Sequence, residues 1–428
     1  MMASVRRSVL AVAQVTMLRS VSLALNLCTG LLTAAFLGPE GRGEQAAFLL
    51  APQVLASFAT LGLHASLIYN IKDDPQHERD YIDITLLLTF LAGVVAVGLG
   101  WFLEPRWLAN YRPATVQLAR MFLLATPVMS ACFTFTAVLE ARTRFVAANR
   151  PAYLQSLTTL LTLGLLILLK RLTPATAAAA YIFPQTLAFL YLAALAGYRI
   201  RPSLTVRLPL SVRLLSYGLR FYGVDVLGAA SMYLDQVIIA AMLPAEALGI
   251  YVVGLSVARL LNMLPAAAET VLFPTLAARP IATIADTVAA AVRVLSVINA
   301  VAALTLGLLG PQLLALLYGA RFAAAAGPLF ILLLTTIPAN AVGLFYQSYA
   351  GSGRPGIVTI IQAAGVAVSL GLMLLFVPVL GVSGAALSLL VGALVRLACV
   401  LVGMPLLLGV RVPSLIVSRS DVAWIRGR

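Results

Sequence analysis

The sequence predicts an all-α integral membrane protein with about twelve transmembrane helices in two six-helix repeats around a central cavity. Three observations predict it. The 428-residue chain is 61% hydrophobic and only 10% charged, with a mean hydropathy of +1.01, and a soluble exterior does not tolerate so little polar surface. Apolar runs such as Ile84–Leu103, Ala152–Leu169, Ala175–Ala196 and Ile357–Leu380 are each long enough to cross about 30 Å of hydrocarbon as a helix. Short sequence matches also recur at an offset close to half the chain length. The short alternating strands of a membrane β-barrel are not seen.

The spans follow in order. The first, 8–37, opens after Arg6 and Arg7 like a signal peptide. It runs on through Arg19 and Asn26 without a clear cleavage site, so it is read as a retained span. A Gly/Pro-rich link leads to span two, 44–71, and a charged loop leads to span three, 81–103. Span four, 114–139, carries Pro127. Spans five, 152–169, and six, 174–198, are clean apolar runs parted by Lys170–Thr173. After the longest linker come spans seven, 212–243, eight, 246–275, nine, 285–318, ten, 326–350, eleven, 356–379, and twelve, 382–409. The expected organisation is an N-terminal six-helix lobe over 1–200, a cytoplasmic linker over 201–211 and a C-terminal six-helix lobe over 212–428.

Basic residues give the sidedness. With the N-terminus inside, 18 Lys and Arg fall in inside segments, six in outside segments and five within spans. This bias predicts an even number of spans and both termini in the cytoplasm. The net charge of +14 therefore reports topology, and no nucleic-acid partner is expected. The three cysteines, Cys28, Cys132 and Cys399, lie inside spans at spacings that fit no metal site or disulfide framework.

The repeat rests on short matches. Leu37-Gly38-Pro39-Glu40-Gly41-Arg42-Gly43-Glu44 follows span one, and Leu243-Pro244-Ala245-Glu246-Ala247-Leu248-Gly249-Ile250 follows span seven, with Leu, Glu and Gly matching at an offset of 206. Arg144 before span five answers Arg354 before span eleven, and Pro127 answers Pro338.

Polar residues gather as stripes. On span one, Arg19, Ser22, Asn26, Thr29 and Thr33 occupy an arc of about 80°. On span two, Gln53, Ser57, Thr60 and His64 form another narrow stripe. On span seven, Tyr217, Arg220, Ser231 and Asp235 share about 60°, interrupted by Val224 and flanked by Asp225. On span eight, Ser256, Arg259, Asn262 and Glu269 fall within about 140°. Polar groups are costly in lipid, so these four spans are expected to line a polar cavity. Helix–helix hydrogen bonding is the plainer alternative, and it accounts for the Ser and Thr better than for the arginines. The 206 offset also relates Arg19 to Asp225, which allows an ion pair between them. No outside loop carries a carboxylate pair, nucleophile–base arrangement or metal cluster, so no enzyme activity is expected.

Phe36-Leu37-Gly38-Pro39-Glu40-Gly41-Arg42-Gly43-Glu44, Pro52-Gln53, Leu61-Gly62-Leu63, Tyr233-Leu234-Asp235-Gln236 and Leu248-Gly249-Ile250-Tyr251-Val252-Val253 resemble polysaccharide-biosynthesis flippases of the O-antigen (Wzx) type. These belong to the multidrug/oligosaccharidyl-lipid/polysaccharide (MOP) exporter superfamily, which also includes the MATE exporters. The resemblance implies two six-helix lobes working by alternating access in the bacterial inner membrane. The implied substrate is an oligosaccharide on polyprenyl pyrophosphate, moved from the cytoplasmic to the outer leaflet. Arg19, Arg220 and Arg259 would hold the pyrophosphate, since guanidinium groups grip phosphate oxygens bidentately. Asn26, Gln53 and Asn262 would meet the glycan. Asp235, with Asp225 and Glu269 beside it, is the candidate for coupling to a cation or proton. The lipid-II flippase branch also draws an acid from its last two spans, where this chain offers only Gln362, Ser369, Ser383 and Ser388. Sodium, protons and the membrane potential therefore all stay open. Expected partners are the glycan-lipid, membrane lipids and the polysaccharide polymerase machinery, with the protein a monomer lacking a cofactor. A small-molecule exporter of the MATE type is the alternative. The arginines oppose it, because cationic substrates call for an acidic cavity.

Overall fold

The computed structural model describes residues 2–197, 207–263, 265–266, 268, 281–412 and 414, with their side chains except at 2–13, 15, 16, 19, 281–283 and 355. Among the described residues every regular element is helical. Within hydrocarbon a backbone polar group has no water to turn to, and a helix satisfies its own. Among the described residues, eleven helical stretches are long and apolar enough to cross a membrane. The first, Ser20–Phe58, is two helices merged across Gly38, whose φ of 70° and ψ of −178° leave the helical region. Divided there, the eleven stretches account for the twelve expected spans.

Two compact units divide at Gly249. The first contains α1 (Met2–Phe58, broken at Gly38), α2 (Leu63–Asp73), α3 (Glu78–Trp107), α4 (Pro113–Phe122), α5 (Thr126–Ala141), α6 (Phe145–Leu168), α7 (Pro174–Leu195), α8 (Leu208–Met242) and the first turn of α9 (Ala245–Ala258). The second contains the rest of α9, then α10 (Ile281–Leu308), α11 (Gly310–Tyr318), α12 (Ala326–Gly351), α13 (Pro355–Leu380) and α14 (Val382–Gly403). Residues 201–206 of the expected 201–211 linker lie outside the described residues. In the structure α8 packs on α1, α2 and α3 and joins the first unit.

Two expected spans are interrupted. Span two stops at Phe58, turns through Ala59–Gly62 and resumes as α2. The turn is left-handed at Leu61 (φ 48°) and Gly62 (φ 70°). Glycine adopts this conformation without penalty, whereas Leu61 is held in it by its neighbours. Span nine breaks at Leu309, with Pro311 opening α11. Hydropathy sees neither break, because both segments stay apolar on average across it.

The core of the first unit joins Leu63, Leu67 and Ile71 of α2 to Tyr81 and Ile82 of α3, Phe135 and Val138 of α5, Leu192 of α7 and Leu214 of α8. In the second unit, Val288 and Val292 of α10 meet Phe345 and Tyr349 of α12 and Val400 of α14. Outward faces are also apolar, as at Phe90, Val95, Leu99 and Phe102 of α3, Leu161, Leu165 and Leu168 of α6, and Leu375 and Val379 of α13. Large exposed side chains of this kind suit a lipid surround.

Candidate functional site

The polar stripes divide into residues that the fold consumes and residues that it leaves over. On α1, Ser22, Thr29 and Thr33 are buried, and their hydroxyls donate to carbonyls of their own helix at Leu18, Asn26 and Thr29. Ser57 on α1 and Ser256 on α9 do the same toward Gln53 and Val252. Such hydroxyls need no external ligand. Asn26 is exposed and Gln53 half-buried.

The broken span gives the most connected cluster. The turn before α2 frees the N–H groups of a helix N-terminus inside the membrane, where they need acceptors. The carboxylate of Asp225 on α8 lies beside this N-terminus, close to the Gly62 N–H, and is 3.3 Å from the Thr60 hydroxyl, which also donates to the Ser57 carbonyl at 2.8 Å. The negative charge also suits the positive end of the α2 dipole. Ser66 donates to the Leu214 carbonyl at 2.8 Å. A Cβ on Gly62 would lie 2.0 Å from the Gly218 carbonyl oxygen, so α8 passes here in backbone contact. Two residues after Gly62, His64 of α2 reaches α5, with Nε2 3.3 Å from Glu140 Oε2 and Nδ1 3.2 Å from the Phe133 carbonyl.

Ion pairs hold α8 at the end of α2. Arg213 pairs with Asp73 and lies 3.9 Å from Asp74, and Arg207 reaches Asp80 at 3.0 Å. Arg142 of α5 bonds Glu78 at 2.7 Å, and Tyr69 stacks on Tyr217. At the opposite end the Trp107 indole donates to the Val237 carbonyl at 2.9 Å, and Asn110 donates to that of Ala241 at 3.2 Å. There the conspicuous Glu40–Glu44 motif is consumed in packing. Glu40 pairs with Arg112, Arg42 donates to Gln45, and Glu44 accepts from Thr115. A Cβ on Gly43 would lie 1.7 Å from the Ala245 carbonyl oxygen, and one on Gly249 would lie 1.9 Å from that of Pro39. The contact is reciprocal under the repeat, since Gly249 follows Gly43, and Ala245 follows Pro39, by the same 206 residues.

The remaining predicted residues are placed as follows. Arg220 is exposed on α8 and Arg259 half-buried in the tight turn Arg259–Asn262, where Asn262 is exposed. Among the described residues neither arginine has a carboxylate within ion-pair distance. Asp235 is buried on α8, and one of its oxygens accepts the Gln236 N–H at 2.8 Å. Arg19 lies on α1 with its side chain outside the described set, so the pairing with Asp225 is not visible, and Glu269 lies outside the described residues altogether. Sequence reasoning missed Glu140 as the partner of His64. Its position at the end of an apolar span beside Arg142 was the available signal.

Residues 11–278 match the family described as polysaccharide biosynthesis protein. No curated protein matches the chain in sequence. Among solved structures the fold resembles the lipid II flippase MurJ in an inward closed conformation, with a TM-score of 0.77 at 13% identity over 91% of this chain and 87% of that one. An inward-facing MATE family multidrug resistance transporter of the MOP superfamily gives 0.64 at 14% identity over 88% and 92%. A MOP superfamily transporter from Pyrococcus furiosus gives 0.63 at 15% identity over 92% and 94%. The chain belongs to the polysaccharide biosynthesis protein family, and its fold is like that of the solved MOP superfamily transporters.

Proposed function

We propose that the protein is a flippase that moves an oligosaccharide carried on polyprenyl pyrophosphate from the cytoplasmic to the outer leaflet of the bacterial inner membrane, by alternating access of two six-helix lobes. The observation that carries this reading is the state of the intramembrane arginines. Arg207, Arg213 and Arg142, near the ends of their helices, are paired with carboxylates, whereas Arg220 and Arg259 have none among the described residues. An unpaired guanidinium within a span is costly unless an anion arrives to meet it. A pyrophosphate fits that need, and its oxygens match the guanidinium fork. Arg19 completes the proposed set, and Asn26, Gln53 and Asn262 supply donors and acceptors for sugar hydroxyls. Asp235 is the coupling candidate for a cation or proton. The MATE-type structural likeness supports the shared fold, but a cationic drug has no evident use for these arginines.

The test is replacement of each arginine in cells that need the protein for surface polysaccharide. Arg19→Ala, Arg220→Ala or Arg259→Ala should abolish export while membrane insertion stays normal. Arginine-to-lysine changes should restore it in part, because charge returns without bidentate geometry. Normal export by all three alanine variants sinks the pyrophosphate role.

A further inference from the structure

His64 is surrounded by acceptors. Nδ1 faces the Phe133 carbonyl, which can only accept, and Nε2 faces the Glu140 carboxylate at 3.3 Å. A neutral imidazole carries one N–H, so it can satisfy one of these contacts and must turn a lone pair toward the other acceptor. Both contacts hold together only when the pair owns one proton more than a neutral ring beside a carboxylate. We propose that His64 and Glu140 form a proton-binding site, occupied as imidazolium and carboxylate, that fastens α2 to α5 and loosens when the proton leaves.

The balance is simple. One proton from water adds to the ring, and both N–H groups then donate, to Phe133 and to Glu140. Its loss leaves one hydrogen bond and one repulsive contact. One carboxylate contacts the ring, Glu140 from α5, and a second, Asp225 from α8, acts on it electrostatically. Burial of the ring opposes the charged form, and both carboxylates favour it. The charged groups of α3 that are paired, Glu78 and Asp80, are engaged with Arg142 and Arg207 around the far end of α2, and Arg213 of α8 is engaged there with Asp73. Side-chain exposures of 32% for His64 and 28% for Glu140 show that the pair is not sealed inside the packed core.

The site sits two residues past the turn that Asp225 adjoins. Releasing α2 from α5 therefore unsettles the point where α8 leans on the broken span. The site rests on the transport reading only for what the proton would drive, and its occupancy can be measured without any glycan.

The chain has two histidines, so nitrogen NMR resolves the question directly. The His77→Gln variant, labelled with 15N-histidine and held in nanodiscs, leaves His64 as the single reporter. At about pH 7.5, where a free imidazole is mostly neutral, both ring nitrogens should be protonated. Adding Glu140→Gln should return the ring to one protonated nitrogen, since the amide N–H₂ can donate to the bare Nε2. Glu140→Asp should keep both protons, which guards against a folding defect in the amide variant. One protonated nitrogen in the parent, or two in the Glu140→Gln variant, overturns the site. A polysaccharide export assay on the same variants reports separately on transport.

Discussion

Asp225 illustrates how one side chain supports two readings that differ in outcome. Its charge suggests ion coupling, while its place beside the Gly62 N–H and its contact with the Thr60 hydroxyl suit it to capping α2. Asp225→Asn keeps an acceptor oxygen and should preserve most thermal stability and export if capping is the role. Asp225→Ala leaves the Gly62 N–H without an acceptor and should cost about 1–3 kcal/mol. A thermal melt of both variants in detergent checks this, and an Asn variant as damaged as the Ala variant refutes the capping role. The cap was not legible in the sequence, since no periodicity relates Gly62 to a residue more than 160 positions later. By contrast, the stripe on α1 was legible as a pattern but overread. Ser22, Thr29 and Thr33 lie on one arc, yet their hydroxyls turn back on their own backbone.

At the scale of elements, α8 is fixed at both ends against the N-terminal helices. Arg213 and Arg207 hold one end, and the Trp107 and Asn110 hydrogen bonds hold the other. Arg213→Asp should place a third carboxylate beside Asp73 and Asp74 and increase labelling of a cysteine at Ser66 by a water-soluble thiol reagent. The double exchange Arg213→Asp with Asp73→Arg should reverse that increase, and unchanged labelling in both variants refutes the latch. Helix existence was largely legible here, because apolar runs of this length have no other stable form in lipid. The breaks at Ala59–Gly62 and Leu309 were not. They arise from backbone angles and from close packing of distant helices, and leave the hydropathy unchanged.

For the whole molecule, the sidedness drawn from arginine and lysine predicts specific accessibility. Cysteines placed at Gln76 and Thr143 should react only from the cytoplasmic side, and cysteines at Asn110 and Thr173 only from the outer side, in intact cells against inverted vesicles. A reversed pattern at any one position would break the twelve-span alternation. The repeat has geometric support in the reciprocal approach of Gly43 to Ala245 and of Gly249 to Pro39. A leucine at either glycine would drive a side chain into a carbonyl oxygen, so Gly43→Leu and Gly249→Leu should lose folded protein to similar extents, read by size-exclusion yield. That pair of glycines was visible in the sequence as a matched motif, although its role in packing was not.

The interrupted second span also constrains how the protein is made. As a helix α2 is 11 residues long, about 16 Å, roughly half of what the hydrocarbon core requires. It carries Ser66 and Asn70 buried on its flank, and the acceptor for the Ser66 hydroxyl is on α8. The ribosome reaches α8 only after six earlier spans have left it. Until then the translocon or its chaperones must shelter a half-helix whose Ser66 hydroxyl lacks its acceptor, and a nascent chain arrested before Leu208 should be rapidly degraded.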